Sequence, residues 1–188
     1  MSLKQIAEFT LRQTPQYQGI EALDIYVPGE LLQKRLCFEE PVTLYASPHN
    51  PGARALAAEL EATYPGIVVT EEPLAALSGD GQGGSTSVST FVLLYLNSET
   101  YLDAAGESLA EELQQARAAG VKVVMAHEND PARNGCEFAT FFHTTPADLI
   151  SDGLYKALAL ACYPGEHRKV SMALLARALG AKPHQGIT

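Results

Sequence analysis

Three glutamates lie on one predicted helix directly after an apolar segment, in the stretch VLLYLNSETYLDAAGESLAEELQQARAAG. With about 100° of rotation per residue, Glu107 and Glu111 fall opposite the apolar stripe, whereas Glu112 falls about 60° from its centre. The stripe predicted to be buried consists of Leu102, Ala105, Leu109, Leu113 and Ala116. Partial burial tunes a carboxylate for acid, base or electrostatic work, so Glu112 is the catalytic candidate. The alternatives are that Glu112 pairs with Arg117 or faces water at the edge of the helix.

The elements around this helix alternate between strand and helix. The predicted strands are 41–47, 67–70, 90–97 and 121–127, and the predicted helices are 51–65, 104–119 and 165–180. Asn50 is the predicted N-cap of the first of these helices, with Pro51 as its first residue. Such alternation predicts an α/β domain with a mostly parallel sheet and helices on both faces. The segment 147–164 is either one helix broken at Gly153 or a short helix followed by an edge strand.

Polar side chains follow the predicted strands, at the edge where a doubly wound sheet binds its ligands. The candidate substrate-binding residues at this edge are Ser47, His49, Ser98, Tyr101 and His127. The alternative is that these residues are polar because the loops that follow strands are polar in any protein.

The sequence gives little support for a phosphate-binding loop, a metal site or a cysteine nucleophile. The glycine-rich GDGQGG stretch lacks the Gly-Lys-Ser/Thr of a phosphate-binding loop and does not directly follow a strand. Five residues of metal-capable types lie within one connection, but their spacing matches no zinc signature, so no metal site is predicted. They are His127, Glu128, Asp130, Cys136 and His143. Cys136 lacks the surroundings that would activate it as a nucleophile beside those histidines.

Composition limits the class of protein and its partners. The chain has 188 residues, of which 46% are hydrophobic and 19% are charged, and its net charge is −9. An acidic chain without a basic stripe repels a phosphate backbone, so no nucleic-acid partner is expected. No apolar run reaches the roughly 18 to 20 residues of a membrane span. Three widely spaced cysteines indicate free thiols in a reducing compartment, and a cytoplasmic location is expected.

The order of several short motifs resembles that of a Toll/interleukin receptor (TIR) domain. The motifs are a Ser-x-x-Tyr turn after an apolar strand, a Glu-Leu pair on the next helix, and an Asp-Pro loop after the next strand. They fall at Ser98 and Tyr101, at Glu112 and Leu113, and at Asp130 and Pro131. The resemblance covers roughly residues 41–180. It leaves an N-terminal extension at 1–40, with a short helix and an arm, and a tail at 181–188.

The TIR resemblance implies a flavodoxin-like fold with about five strands and a site at Glu112. It implies either hydrolysis of the nicotinamide–ribose bond of NAD, as a substrate rather than a resident cofactor, or a non-catalytic signalling module that self-associates as a homo-oligomer. In the hydrolase, Glu112 would be the catalytic carboxylate. A nucleoside-processing N-glycosidase of related topology is a third hypothesis. The Trp-Cys pair that precedes the glutamate in the family is replaced here by Ser108 and Leu109.

Overall fold

The structure is a computed structural model that describes residues 3–18, 23, 25, 36–72 and 89–183. The chain divides into two compact units, Met1–Arg35 and Leu36–Thr188. The predicted arm at 22–28, the predicted short helix at 72–77 and the glycine-rich loop fall almost wholly outside the described residues. No helix among the described residues is long and apolar enough to cross a bilayer.

The described residues of the first unit form an amphipathic helix, α1 (Leu3–Arg12), followed by a 3-10 turn at Pro15–Tyr17. Within α1, Glu8 and Arg12 form an ion pair of 2.9 Å at the i, i+4 spacing. The sequence predicts a short helix in the N-terminal extension. Because proline disrupts the interior of a helix, this helix ends before Pro15.

The second unit holds the remaining described elements. Its strands are β1 (Leu36–Cys37), β2 (Val42–Ala46), β3 (Ile67–Thr70), β4 (Ser89–Leu96), β5 (Lys122–Glu128), β6 (Leu160–Cys162) and β7 (Lys182–Pro183). Its α-helices are α2 (Ala53–Thr63), α3 (Asp103–Ala118), α4 (Phe141–Thr144), α5 (Ala147–Ser151) and α6 (His167–Ala178). Short 3-10 turns lie at Pro131–Arg133, Phe138–Thr140 and Leu154–Lys156.

The main sheet has five strands in the order β3-β2-β4-β5-β6, and all four pairings are parallel. The predicted flavodoxin-like α/β fold, with five strands and helices on both faces, is confirmed. The six residues from Phe91 to Leu96 of the central strand β4 are all buried, because helices cover a parallel sheet on both sides. Between 147 and 164, the second alternative is correct, since α5 is short and β6 forms an edge of the sheet.

Alternating side chains of the strands build two cores. On one face, Leu44, Leu93 and Ala126 pack with residues of α2 and α6. On the other face, Tyr45 and Leu94 pack with residues of α3, α4 and α5. Because successive residues of a strand point to opposite faces, Tyr45 and its i+2 neighbour Ser47 are directed toward the α3 side.

The connection from β2 into α2 differs from the prediction. Helix α2 begins at Ala53 with Gly52 as its N-cap in a left-handed conformation (φ 80°), so the assignment of Asn50 as N-cap is wrong. The side chain of Asn50 serves β4 instead. Its amide donates to the Tyr95 carbonyl at 2.8 Å, and its oxygen accepts from the Tyr95 N–H at 2.7 Å. Asn50 therefore continues the β2–β4 pairing beyond the end of β2.

A second, antiparallel pair of strands lies outside the main sheet. Leu36 pairs with Pro183 and Cys37 with Lys182, which joins β1 to β7. These residues come from the predicted 1–40 extension and the predicted 181–188 tail. In the structure they belong to the second compact unit.

Candidate functional site

The strand order creates a switch point between β2 and β4. From β2 the chain passes to β3 on one side, and then returns across β2 to form β4 on the other side. The connections after β2 and β4 therefore leave the sheet in opposite directions and open a crevice at the carboxyl edge, where ligands of such folds bind. Ser47 and His49 follow β2, and Glu112 lies on α3, the helix that follows β4.

The two carboxylate oxygens of Glu112 have different surroundings. Its Oε1 lies 3.6 Å from Nε2 of His49, and its side chain is 25% exposed. Its Oε2 is buried and accepts no hydrogen bond from any described residue. A buried acceptor without a donor costs about 1–3 kcal/mol, so such an atom in a native structure calls for an explanation, and a ligand donor is one.

The helical phase of α3 explains how Glu112 reaches the crevice. Leu109 and Leu113 are buried against the sheet, and Glu112 lies at the flank of that buried face. Glu107 and Glu111 are exposed, which confirms the predicted separation of the three glutamates. The predicted stripe is wrong at its start. Leu102 and Ala105 are exposed, whereas Gly106 and Ala110 are buried, because α3 begins at Asp103 and leaves Leu102 outside the helix.

The alternative partner of Glu112 is occupied elsewhere. Arg117 donates from Nε to the Asp152 carboxylate at 2.9 Å and from Nη2 to the Asp152 carbonyl at 2.7 Å. The alternative that Glu112 pairs with Arg117 is therefore wrong. Its neighbour is instead His49, whose side chain is 43% exposed and can reach an incoming ligand.

Tyr45 of β2 packs under α3, the helix that carries Glu112. Its side chain is 2% exposed, on the face of β2 that packs against α3. Burial, and then the neighbouring Glu112 carboxylate, raise the pKa of the Tyr45 phenol to about 12, and the Ser47 hydroxyl acts in the opposite direction. Tyr45 thus keeps its proton at neutral pH.

Ser47 orders the turn that carries His49. It is 1% exposed, and its Oγ accepts a hydrogen bond from the backbone N–H of His49 at 3.0 Å. Such a side-chain to backbone bond two residues on fixes the course of the chain as it leaves the strand. Tyr45, Ser47, His49 and Glu112 are called the carboxylate site below.

Ser98 and Tyr101 make their contacts away from the carboxylate site. Ser98 is exposed, and its backbone N–H donates to the Asn134 carbonyl at 2.8 Å. Tyr101 is 8% exposed, adopts a positive φ of 65°, and its buried hydroxyl has no hydrogen-bond partner among the described residues. Burial, and then Tyr155, raise the pKa of the Tyr101 phenol, so it stays protonated. Its place in the core beside Leu109 makes it part of the packing under α3.

Gly106 is the residue that lets α3 start against Tyr101. A Cβ at position 106 would come within 2.3 Å of the Tyr101 carbonyl carbon. Since real side chains do not approach backbone so closely, glycine is needed at this point of contact. The beginning of α3, and with it the direction in which the helix presents Glu112, is fixed by this contact.

His127, the last of the predicted binding residues, is held in an aromatic cluster. Its ring stands edge-to-face to Phe138 and Phe141, with centroids 5.4 and 5.7 Å apart. Its Nε2 lies 2.7 Å from the carbonyl oxygen of Cys136, and it is 9% exposed. The ring therefore anchors the connection after β5 and faces the Cys136 backbone rather than its thiol. Burial raises the pKa of the Cys136 thiol, which disfavours the reactive thiolate.

A second buried carboxylate is Glu128, which the sequence offered only as one of several metal-capable residues after the strand 121–127. It is 0% exposed, but both oxygens are satisfied. Oε2 accepts from the Tyr95 hydroxyl and from Nη1 of Arg168, each at 2.6 Å, and Oε1 accepts from the backbone N–H groups of Asn129 and Asp130. Arg168 also binds Glu59 at 2.9 Å, which links β5, α2 and α6. Because its acceptors are filled, Glu128 is a structural anchor, in contrast to Glu112.

Three of the cavities lie away from the carboxylate site. One of about 360 Å³ lies beside β5 and β6, where Lys122, Leu158 and Leu160 are among its lining residues. One of about 800 Å³ lies at the amino edge of the sheet, where Val121 begins the approach to β5, and four of its polar side chains form two pairs, Arg117 with Asp152 and Gln114 with Asp148. One of about 170 Å³ lies at the carboxyl edge on the α2 side. Among the described residues, no group of three or more His, Cys, Asp or Glu side chains could hold a metal ion.

No family model matches the sequence, and searches of curated proteins and of solved structures return no significant match. The likeness to TIR domains thus rests on the motifs of this chain.

Proposed function

We propose that this chain is a TIR-like hydrolase that cleaves the nicotinamide–ribose bond of NAD, with Glu112 as its catalytic carboxylate. The observation that carries the proposal is the unpartnered, buried Oε2 of Glu112 at the switch point between β2 and β4. A site at that place, with an acceptor in need of a donor, suits the hydroxyl groups of a ribose.

The chemistry requires a negative charge beside the anomeric carbon. When the bond between C1′ and the pyridinium nitrogen breaks, its electron pair stays with nicotinamide, which leaves as a neutral molecule. The positive charge then lies on the ribosyl oxocarbenium ion, where a fixed carboxylate stabilises it. Water adds to C1′ and releases one proton, for which Glu112 is the acceptor, giving ADP-ribose, nicotinamide and a proton.

The partly buried position of Glu112 supports this role. A carboxylate that is shielded from water acts more strongly on a nearby cation than one that is fully solvated. His49, placed 3.6 Å from Oε1 and partly exposed, lies on the open side of the carboxylate. In this proposal, His49 and Ser47 bind the substrate beside Glu112.

The test measures nicotinamide release from NAD by chromatography, at high protein concentration. We expect Glu112→Gln to lose at least about 100-fold in rate, the usual consequence of removing a group that stabilises charge in the transition state. Glu111→Gln is the matched control, since it neutralises an exposed glutamate one position away on the same helix. A folded Glu112→Gln protein with the activity of the wild type would refute the role of Glu112. Turnover of nucleosides in place of NAD would favour the N-glycosidase alternative instead.

A self-associating module is the second candidate function. The observation that favours it is Leu158, which is 85% exposed just before the edge strand β6, with Tyr163 51% exposed just after it. Edge strands with exposed apolar neighbours are surfaces on which another chain can add. We expect light scattering to show a mass that grows with concentration in the wild type and not in Leu158→Asp. A monomer at every concentration would exclude this candidate.

A further inference from the structure

An apolar cavity of about 360 Å³ lies beside β5, toward α6, because β6 is shorter than β5. Strand β5 runs from Lys122 to Glu128, but its ladder with β6 begins only at the pair of Ala126 and Leu160. On the other side, β4 accompanies β5 from Lys122 onward. Among the described residues, no strand therefore lies beside the first four residues of β5 on the side of β6, and the cavity borders this segment.

The alternation of side chains along β5 brings Lys122 to the same face as the apolar wall of this cavity. Val124 and Ala126 belong to the core on the α6 side, so Lys122, two residues before Val124, points to that side as well. Phe91, which pairs with Lys122 across from β4, belongs to the same core. Of the described residues that line the cavity, Lys122 alone is charged, and the others are apolar. The cavity thus combines an apolar wall with a single cation.

Neither the cation nor the apolar rim of this cavity is covered by the described part of the chain. Lys122 is exposed and forms no ion pair with a described residue. Leu158, on the rim, is 85% exposed. Because removing apolar surface from water is favourable, a ligand that covers Leu158 gains binding free energy. A ligand with an apolar body and an anionic end satisfies both features.

We propose that this cavity binds a straight-chain aliphatic carboxylate, with its tail against Val124 and Leu158 and its carboxylate beside the ammonium group of Lys122. The volume falls at the lower end of the range for ligand pockets, about 300–1,000 Å³, which suits a short chain such as octanoate. A peptide strand added to β5 fits less well, because Val124 and Met125 are buried and leave little of that edge open. Of the described lining residues, none belongs to the carboxylate site, so the inference is independent of the proposed hydrolase function.

The first test titrates octanoate into the full chain and follows the methyl NMR signals of labelled leucine. We expect the signal of Leu158, assigned through Leu158→Met, to shift as octanoate binds. Leu109 is the control, since it packs in the core on the other face of the sheet, and its signal should stay in place. Hexanoate should bind about tenfold more weakly, because it lacks two methylene groups that each contribute about fourfold. Equal affinity for the two acids would contradict the placement of the tail in the cavity.

The role of Lys122 is tested by combining a variant with an uncharged probe. Lys122→Gln should weaken the binding of octanoate about threefold, the effect of one exposed ion pair, and should leave the binding of octanol unchanged. Lys156→Gln is the matched control, because Lys156 is also exposed but is not among the described residues that line the cavity. An equal loss of octanoate affinity in the two variants would overturn the assignment of Lys122 as the anchor.

A third variant fills the cavity without changing its charge. Ala178 of α6 lines the cavity at an exposed position, so the fold should tolerate Ala178→Leu, and the binding of octanoate should be abolished. Undiminished binding would place the ligand elsewhere and overturn the proposal. The proposal also fails if octanoate leaves the Leu158 signal of the wild type in place while that signal moves with protein concentration, since a second copy of the chain then covers the rim.

Discussion

Replacing Arg168 with methionine tests which charges hold the second unit together. Arg168 is 11% exposed, and it joins two carboxylates from different parts of the chain. Its Nη1 lies 2.6 Å from Glu128, and its Nη2 lies 2.9 Å from Glu59. Methionine retains an apolar stem of similar length but carries no charge, so the change removes the cation with little loss of packing.

The cost follows from what Glu128 retains. Without Arg168, this fully buried carboxylate keeps the Tyr95 hydroxyl and two backbone N–H groups, all of them neutral donors. Removing one partner of a buried ion pair typically costs about 3–5 kcal/mol. The total free energy of unfolding of a domain is about 5–15 kcal/mol, so this loss would leave little stability.

Urea unfolding measures the loss directly. With a slope of about 2 kcal/mol per molar urea, we expect the midpoint of Arg168→Met to fall by about 2 M. Lys169→Met is the matched control, because Lys169 pairs with Glu166 at the surface, where the side chains are 67% and 89% exposed. Its pair contributes less than about 1 kcal/mol. Equal shifts of the urea midpoint in Arg168→Met and Lys169→Met would refute the reasoning. Adding Glu128→Gln to Arg168→Met should recover part of the lost stability, because it removes the unpaired buried charge.

The same variant carries a pH signature. Burial acts to raise the pKa of Glu59, but Arg168 and then Arg133 outweigh it, so the pKa lies below the ordinary value. Such a group stabilises the fold above the unfolded pKa of about 4.3, and this contribution is lost as pH falls through the lowered folded value. Because Arg168→Met has lost the larger of the two cationic contributions, the gap in urea midpoint between wild type and variant should narrow as the pH falls from 7 to below about 4. A constant gap would contradict it.

Three further outcomes are expected. Asn50→Ala leaves the backbone N–H of Tyr95 without its acceptor, so the melting temperature should fall by about 5 °C, a loss that an unchanged melting curve would rule out. Gly106→Ala should destabilise the protein in urea although alanine favours helices, because its Cβ would lie 2.3 Å from the Tyr101 carbonyl carbon; a gain in stability would show that this contact relaxes. Burial raises the pKa of the Cys162 thiol to about 12, so this thiol should not react with iodoacetamide at pH 8 until the protein is unfolded. Mass spectrometry follows the alkylation, and rapid alkylation of the folded protein would contradict the burial of Cys162.

The fold could be predicted from the sequence because its strands are continuous apolar runs. The run from Phe91 to Leu96 is buried throughout, and the helices between the strands carry one apolar stripe each. The first residue of α2 could not be predicted. Asparagine is a common N-cap residue, but the side chain of Asn50 instead forms a hydrogen bond with the backbone of Tyr95, which is distant in sequence. Long-range contacts of this kind leave no local pattern.

Part of the candidate site could be predicted, because some of its residues follow a local pattern. Helical phase separates Glu112 from Glu111, because phase is a local property of one helix. Ser47 and His49 were predicted to line the same site as Glu112 because they follow the end of a predicted strand. Tyr45 was missed because an aromatic residue in an apolar strand has the pattern of ordinary core. Glu128 and Arg168 were missed as a pair because 40 positions separate them. Their partnership depends on the packing of α6 on the sheet, which periodicity does not encode.

The short ladder of β1 and β7 has a consequence for engineering. It places Leu36 beside Pro183, so the two ends of the segment 36–183 lie about 5 Å apart across paired strands. A unit with such adjacent ends can be inserted as a guest into a surface loop of a host protein, or circularly permuted with a short linker, without stretching either fold. The ladder and the main sheet are separate sheets. An inserted unit would therefore retain the carboxyl edge of the main sheet together with Glu112.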